Sequence, residues 1–369
     1  MTPTPAKVTM RSPGEMVSAV PYLLGFVPTD SLVIVVLDDK RIALTARVDL
    51  ADLHDADCIR QIIEAAGHAN GTGAFLIAYG ESRFDTAPAL ARVEEPLTDA
   101  GLEVRNLVSV VDGRWFHERC TDARCCSPGG TAVADHDMAP TTMALSTRTA
   151  GYRADRDAVV AECRPDRPLL LAAIRSELEM PVQGEDFTSE TIAADLCAVL
   201  GWGTDPAPTA VQFARAALGC SVGTVRDVWY AVVAPGMTGD YVPEDTELLD
   251  RVVSAGQRAG DLGSDGILLD TDARDRVLGR LLAWVRNLPD DGSGVSLWPL
   301  VVAAAAHLCG GDGARSRLLV ERAWTLGVEP PGMLRTLTAC LRHGVRPPEA
   351  GRLSQDLVGP DPQVVPRIA

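Results

Sequence analysis

The sequence predicts an α/β domain, with a mixed β-sheet flanked by helices, followed by a mainly α-helical C-terminal region. Strand and helix patterns alternate up to about residue 148, whereas helical stretches alternate with Pro/Gly turns beyond it. The length of 369 residues exceeds the usual size of one hydrophobic core. We therefore expect an α/β domain over residues 1–148, a helical domain over 149–350 and an extended tail over 351–369.

The first predicted elements are a helix and a β-hairpin. The sequence S-P-G-E at residues 12–15 is typical of a capping box with proline at the first helical position, and Gly25 ends the helix. Apolar, β-branched runs over residues 31–37 and 42–48 predict two strands, and the polar residues 38–41 predict the turn between them. The first strand is apolar on both faces, which indicates a position inside a covered sheet.

Helix and strand patterns alternate through the rest of the N-terminal region. The dipeptide Asp112-Gly113 is the strongest hairpin signal in the chain. The predicted elements are a helix at 55–69, a strand at 74–79, a helix at 88–100, and strands at 104–111 and 114–117. The resulting order β-β-α-β-α-β-β predicts a mixed sheet with helices packed on it.

Ten helices are predicted in the C-terminal region. Each shows apolar residues at helical spacing, bounded by Pro or Gly turns. They are expected at residues 155–163, 169–178, 190–200, 210–218, 224–233, 246–259, 273–287, 299–309, 314–326 and 333–343.

The charge balance argues against nucleic-acid and membrane binding. The chain has 34 basic and 50 acidic residues, a net charge of −16, and no dense run of Lys or Arg. Because a negative field repels phosphate backbones and anionic lipids, we expect no direct nucleic-acid or membrane contact, and a protein or a small molecule as partner. An acidic nucleic-acid mimic is a remote alternative. The most apolar stretch, residues 295–309, is shorter than the ~20 residues that span a bilayer, and no secretion signal is recognisable, so we expect a cytoplasmic protein.

The sequence contains none of the familiar enzyme signatures. There is no G-x-x-x-x-G-K-[ST] phosphate loop, no G-x-G-x-x-G after a strand, no H-E-x-x-H and no G-x-S-x-G. No standard catalytic machinery can therefore be identified from the sequence.

Three cysteines lie close together in the loop after the last predicted hairpin. Cys120, Cys125 and Cys126 belong to W-F-H-E-R-C-T-D-A-R-C-C at residues 115–126. One interpretation is a structural or packing role. A second is a zinc site, although the C-x4-C-C spacing lacks the C-x2-C pair that zinc sites usually contain. A third is redox or thiol chemistry, because the nearby Arg119 and Arg124 would lower a thiol pKa.

A second candidate site lies at the open end of the first predicted hairpin. With a turn at residues 38–41, positions that sum to 79 face each other, so Asp30 is expected opposite Asp49. Two facing carboxylates are unfavourable unless a cation or an arginine lies between them, and Arg47 is on the same face as Asp49. The sequence predicts either a small binding site of Asp30, Arg47 and Asp49, or two solvated aspartates that serve turns.

Several segments of the sequence are similar to a known family. They are S-P-G-E-M-V-S-A-V-P-Y-L-L-G-F-V-P-T-D-S-L-V-I-V at residues 12–35, T-A-R-V-D-L at 45–50, D-G-R-W-F with C-x4-C-C at 112–126, and G-D-G-A-R-S-R-L-L-V-E-R-A-W near the C-terminus. These segments resemble an uncharacterised actinobacterial family, domain of unknown function 4192, over nearly the full length. The resemblance implies no activity, cofactor or catalytic residue. The family tends to read P-x-E-G after the paired cysteines, whereas this chain has Ser127-Pro128-Gly129-Gly130.

We expect a regulatory or scaffold protein, or a ligand-binding protein, with a helical interaction surface. The N-terminal domain would bind the small ligand or partner. The reason is that an enzyme of standard chemistry normally shows a nucleophile with its base, a metal set or a phosphate loop. The alternative is a thiol- or metal-dependent enzyme, or a redox sensor, that uses Cys120, Cys125 and Cys126, with zinc as the cofactor in the metal case.

Overall fold

The computed structural model confirms the predicted fold class. It describes residues 8–122, 126–137, 139–146, 151–180, 188–203, 207–238 and 241–345. Among these, residues 8–156 and 341–345 form one compact unit and residues 157–340 form a second. A mixed six-stranded sheet flanked by helices lies in the first unit, and the second is helical. The predicted boundary between 148 and 149 and the predicted tail at 351–369 lie outside the described residues.

The first unit contains the sheet. Its elements are α1 (Pro13–Leu24), β1 (Ser31–Asp38), β2 (Arg41–Asp49), α2 (Ala56–His68), β3 (Gly73–Tyr79), α3 (Arg83–Asp99), β4 (Glu103–Val111), β5 (Arg114–His117), β6 (Thr131–Ala132) and α4 (Pro140–Ser146), with short 3-10 helices at Leu50–His54 and Val133–His136. The strand order is β2-β1-β3-β4-β5-β6, in which β3 and β4 are parallel and all other neighbours are antiparallel. The predicted order of strands and helices is confirmed, and the short β6 adds to it.

One face of the sheet forms a hydrophobic core with α2 and α3. Because side chains alternate along a strand, every second residue of β1, β2 and β3 points to this face. Its fully buried members include Leu32, Ile34, Val48, Leu76, Leu90, Val93 and Leu97. The same alternation places Ser31 and Val33 of β1 on the opposite face. The helix α1 packs on this face, where it contacts β2 and β5.

The helix α1 begins and ends as the sequence predicts. The Ser12 hydroxyl accepts a hydrogen bond from the Glu15 backbone N–H at 3.2 Å, and Gly25 ends the helix with a left-handed φ of 81°. The capping box is only half formed, since the Glu15 carboxylate accepts instead from the Arg11 backbone N–H at 2.9 Å. The Glu15 carboxylate also accepts a hydrogen bond from the Thr141 hydroxyl at 2.8 Å, and this bond links α1 to α4.

The predicted register of the β1–β2 hairpin is wrong by one residue over most of its length. Asp38 faces Arg41 as expected, but Val36 faces Leu44, so Ala43 is an extra residue on β2. This bulge shifts all later pairs, and Asp49 faces Ser31 instead of Asp30. The two carboxylates predicted to oppose each other therefore do not.

The helix α3 begins at Arg83, five residues before the predicted start at Pro88. Ser82 precedes the helix, and its backbone carbonyl accepts from the Asp85 and Thr86 N–H groups at 3.2 Å, which begins the helix at Arg83. Pro88 and Pro96 both lie inside the helix. The packing of Leu90, Val93 and Leu97 against the sheet compensates for the backbone hydrogen bonds that the prolines remove.

The second unit is built from helices. They are α5 (Arg156–Glu162), α6 (Pro168–Leu178), α7 (Ser189–Leu200), α8 (Ala210–Gly219), α9 (Gly223–Val233), α10 (Pro235–Thr238), α11 (Thr246–Arg258), α12 (Thr271–Val285), α13 (Leu297–Cys309), α14 (Gly313–Thr325) and α15 (Gly332–His343). Arg156 of α5 and residues 341–343 of α15 belong to the first unit. All ten predicted helices are confirmed with ends within two residues, and the short α10 was not predicted.

Two tryptophans form the centre of the second unit. Trp229 of α9 and Trp284 of α12 are stacked with ring centroids 5.0 Å apart, and both are fully buried. The Trp284 indole N–H donates to the Phe213 backbone carbonyl at 3.1 Å. The two stacked rings thus pack α9 against α12 in the core of the unit.

Asp312 joins a buried polar cluster at the start of α14. Its carboxylate accepts from the Arg315 backbone N–H at 3.1 Å and from the Arg315 guanidinium at 2.8 Å, and it lies 3.1 Å from His307 Nδ1. Burial alone would raise the pKa of Asp312, but His307 and Arg315 hold it well below its usual range.

Acid is expected to remove the stability that Asp312 contributes. Because its folded-state pKa is lowered, this contribution is complete above about pH 4 and is lost as the pH falls toward the folded-state pKa. Asp312→Asn should therefore lower the free energy of unfolding by about 2 kcal/mol at neutral pH. Urea unfolding from pH 7 down to pH 2 should show the wild type and the variant converging in acid. A difference that stays constant with pH would contradict this assignment, and Asp272→Asn, at an exposed position of α12, is the matched control.

Across the described residues, no helix combines the length and the apolar character that a membrane span requires.

Candidate functional site

A row of polar side chains crosses the sheet on the face that α1 contacts. Asp49 of β2 faces Ser31 of β1, and Ser31 faces Tyr79 of β3 on its other side. Tyr79 pairs with Val110 of β4, which pairs with Trp115 of β5. Directly paired residues share a face, and neighbouring strands are about 5 Å apart, so these side chains form one continuous row. We call Ser31, Arg47, Asp49, Tyr79 and Trp115 the strand-end site.

Four polar atoms of the strand-end site are buried without a hydrogen-bond partner among the described residues. They are Ser31 Oγ, Arg47 Nε, Tyr79 Oη and Trp115 Nε1. The four residues are at most 8% exposed. An unpaired buried polar group costs about 1–3 kcal/mol, and native proteins contain few of them. Thirteen such atoms occur among the described residues, and these four lie together on one sheet face.

Arg47 is the only charged residue of the strand-end site that is buried. It lies on β2, two residues before Asp49 and therefore on the same face. One terminal nitrogen of its guanidinium lies 2.6 Å from the Asp49 carboxylate and also donates to the Thr29 backbone carbonyl at 3.2 Å. The Arg47 side chain is 6% exposed, whereas that of Asp49 is 45% exposed. The cation is thus held in place, and its carboxylate partner can turn to solvent.

The structure brings together two of the three residues predicted for this polar site. Arg47 and Asp49 form an ion pair, as described above. Asp30 lies next to them in an exposed turn with a left-handed φ of 42°, and its backbone carbonyl accepts from the Leu50 N–H at 3.0 Å. Asp30 therefore shapes the exit of the hairpin, and no described contact joins its side chain to Arg47.

The site lies at the carboxyl ends of the parallel strands. Tyr79 is the last residue of β3, and its partner Val110 is the penultimate residue of β4. The first helical turn of α3 follows directly. A Cβ atom on Gly80 would lie 3.0 Å from Thr86 Cγ2 and 3.5 Å from Leu50 Cδ1, so the exits of β2 and β3 approach closely here. In α/β sheets this edge is where ligands usually bind.

The far end of the row is formed by Trp115. His136 packs on it with ring centroids 6.0 Å apart, and His136 Nε2 is also buried without a partner among the described residues. A Cβ atom on Gly14 of α1 would lie 2.1 Å from that nitrogen, so only glycine fits there. The first turn of α1 therefore packs against His136 at this end of the row.

The strand-end site offers mainly hydrogen-bond donors. The Arg47 guanidinium and the Trp115 indole can only donate, and the hydroxyls of Ser31 and Tyr79 can donate or accept. Burial raises the pKa of Tyr79, so the phenol keeps its proton. This set matches the oxygen atoms of a carboxylate or a phosphate, which accept several hydrogen bonds at once.

The predicted cysteine site is only partly described. Cys120 and Cys126 are half-buried, and Cys125 lies outside the described residues. No group of three His, Cys, Asp or Glu side chains in the described part of the chain could hold a metal ion. His117 Nδ1 accepts from the backbone N–H groups of Arg119 and Cys120, and its Nε2 contacts the Asn106 side-chain oxygen at 2.8 Å. His117 thus orders the start of the loop, and the metal or redox site of Cys120, Cys125 and Cys126 stays a prediction.

Sequence reasoning missed Ser31, Tyr79 and Trp115. Ser31 begins β1 and Tyr79 ends β3, where a single polar atom is easily taken for a boundary residue, and Trp115 lies inside the short strand β5. The alternation of β1 does carry a signal, because Ser31 falls on the same face as Val33 and opposite Leu32. The cross-strand pairing that unites the row cannot be read from the sequence.

Fold and site together define a class of protein: an α/β unit with a donor-rich row of buried polar groups at its strand ends, followed in the chain by a helical unit. The model of the family described as domain of unknown function (DUF4192) matches residues 13–348. The chain belongs to this family. Comparison of the chain with curated proteins and with solved structures found no match.

Proposed function

We propose that the protein is a ligand-binding protein whose first unit binds a small molecule bearing a carboxylate or phosphate group at the strand-end site. The observation that carries the proposal is the row of four buried donors that lack partners among the described residues. Ser31, Arg47 and Tyr79 lie on three neighbouring strands, so oxygen atoms of a ligand would satisfy their donors and offset the cost of burying them. Trp115 lies two strands beyond Tyr79. The position at the carboxyl ends of β3 and β4 supports the same conclusion.

Asp49 indicates which group the ligand presents. Its carboxylate lies against the Arg47 guanidinium at 2.6 Å, in the position that an oxyanion of the ligand would take. Because the Asp49 side chain is 45% exposed, moving it into water costs little, whereas Arg47 cannot leave its buried position. A ligand oxyanion would replace Asp49 beside Arg47, and further oxygen atoms of the ligand would accept from the Ser31 and Tyr79 hydroxyls on the two neighbouring strands.

The proposal extends to a cytoplasmic regulatory or scaffold role. A sequence without standard catalytic motifs and with a buried binding site suits a protein that responds to a ligand. The helical second unit would then offer the surface for a protein partner. The thiol- or metal-dependent alternative rests on Cys120, Cys125 and Cys126 and is independent of the strand-end site.

A thermal-shift comparison tests the binding function. Wild-type protein is heated with inorganic phosphate, acetate, succinate or adenosine monophosphate, and with the neutral analogues acetamide and succinamide. A ligand at about 100 times its Kd stabilises a protein by about 2.7 kcal/mol, or about 5 °C in Tm. We expect at least one oxyanion to raise Tm by such an amount while its neutral analogue does not. Equal shifts with charged and neutral compounds, or none at all, would contradict the proposal.

A further inference from the structure

A groove on the second unit forms a separate candidate binding site. It has a volume of about 930 Å³ and lies between α7 and α11, with the start of α8 at one side. This volume is within the range of small-molecule sites, roughly 300–1,000 Å³. All its lining residues belong to the second unit.

The floor of the groove is apolar and fixed in position. Small side chains of α7 leave the space, since Ala193, Ala194, Cys197 and Ala198 all line it. Trp202 completes the floor, and its indole N–H donates to the buried Asp261 carboxylate at 2.8 Å. Burial raises the pKa of Cys197 to about 11, so this thiol is neutral and adds to the apolar surface.

The helix α11 forms one wall of the groove and contributes both acidic and basic side chains to it. Glu247 is paired with Arg251 at 2.8 Å. Asp250 and Arg258 also line the groove, and neither has an ion-pair partner within the described part of the chain. They are eight residues apart on α11, which corresponds to about 12 Å along the helix axis. The groove thus presents an unpaired anion and an unpaired cation about 12 Å apart above an apolar floor.

We propose that this groove binds a short apolar peptide with free termini. Its amino group would lie at Asp250, its carboxylate at Arg258, and its side chains on the floor formed by α7 and Trp202. An extended chain advances about 3.3 Å per residue, so three or four residues span the 12 Å between the two charges. The charge pattern is thus complementary to a molecule charged at both ends and apolar between them. This site is distinct from the strand-end site and does not depend on it.

Titration of the full-length protein with trileucine tests the proposal. Calorimetry would compare trileucine with N-acetyl-trileucine amide, which keeps the side chains but has no charged termini. Two exposed ion pairs contribute little each, so we expect the capped peptide to bind about tenfold more weakly. Arg258→Glu should weaken trileucine binding by a similar factor. Arg164→Glu is the same charge reversal at an exposed position outside the groove, and it should leave the affinity for trileucine unchanged.

A filling variant separates the groove from other surfaces. Ala194 lines the groove but is exposed, so Ala194→Trp fills the space without disturbing the core, and it should abolish binding at an unchanged Tm. Equal affinity for free and capped peptide would overturn the proposal, as would binding that survives Ala194→Trp or no binding of trileucine at all. Hexanoate bound as tightly as trileucine would overturn the peptide assignment in favour of an organic anion. Arg47→Met should not change trileucine affinity, so failure here and failure at the strand-end site are distinguishable.

Discussion

Replacement of Arg47 by methionine is expected to weaken oxyanion binding at the strand-end site tenfold to hundredfold without destabilising the protein. Arg47 supplies the buried charge of the site, and hydrogen bonds to a charged group contribute about 1.5–3 kcal/mol. Their loss corresponds to a tenfold to hundredfold weaker affinity, on the scale of about 1.4 kcal/mol per factor of ten. Methionine keeps the apolar stem, and the half-exposed Asp49 left behind is hydrated. The free energy of unfolding should therefore stay the same or rise slightly.

Urea unfolding and the thermal-shift comparison together check this expectation. Arg105→Met is the matched control, because Arg105 is also a sheet arginine but its guanidinium donates to the Asp39 backbone carbonyl, away from the site. Unchanged ligand response in Arg47→Met would show that the guanidinium does not bind the ligand. A loss of more than about 2 kcal/mol in the free energy of unfolding would instead identify Arg47 as a structural residue.

Truncation of Trp284 is expected to cause the largest loss of stability in the second unit. The ring is fully buried, stacks on Trp229 and donates its N–H to the Phe213 carbonyl. Trp284→Ala leaves a cavity and an unpaired carbonyl, and large-to-small changes of this kind cost about 3–5 kcal/mol. Trp284→Phe keeps most of the ring and should cost less, so it is useful if the alanine variant does not fold.

Trp298 provides the control for this prediction. It is half-buried, and the Arg226 guanidinium lies 3.6 Å from its ring centroid. Trp298→Ala loses that cation–π contact and some packing and should cost about 1–2 kcal/mol. If urea unfolding gave the same loss for both tryptophans, the Trp229–Trp284 pair would not be the centre of the unit.

Much of the fold could be predicted from the sequence because its boundaries are marked chemically. Ser12 and Gly25 delimit α1, and Asp112-Gly113 form the turn between β4 and β5, both with positive φ. The helices of the second unit are bounded by Pro, Gly and capping residues such as Thr188 and Thr209. Local signals of this kind act over a few residues, so they can be recognised in the sequence without knowledge of the tertiary structure.

The register and the site could not be predicted in the same way. The bulge at Ala43 cannot be recognised within an apolar run of sequence, yet it makes Ser31 instead of Asp30 the pairing partner of Asp49. The start of α3 was missed because packing on the sheet outweighs the prolines inside the helix. The strand-end site depends on the pairing of β1 with β3, of β3 with β4 and of β4 with β5, and only the folded sheet brings Ser31, Tyr79 and Trp115 into one row.

The central claim is that the buried donors of the strand-end site bind an oxyanion, and the Tm response of Tyr79→Phe tests it most directly. This change removes one hydroxyl from the row and keeps the ring. The account predicts that the Tm increase produced by the active oxyanion is lost or markedly reduced in Tyr79→Phe and unchanged in Tyr241→Phe, which alters an exposed tyrosine of the second unit. An equal response of both variants and the wild type would contradict the claim.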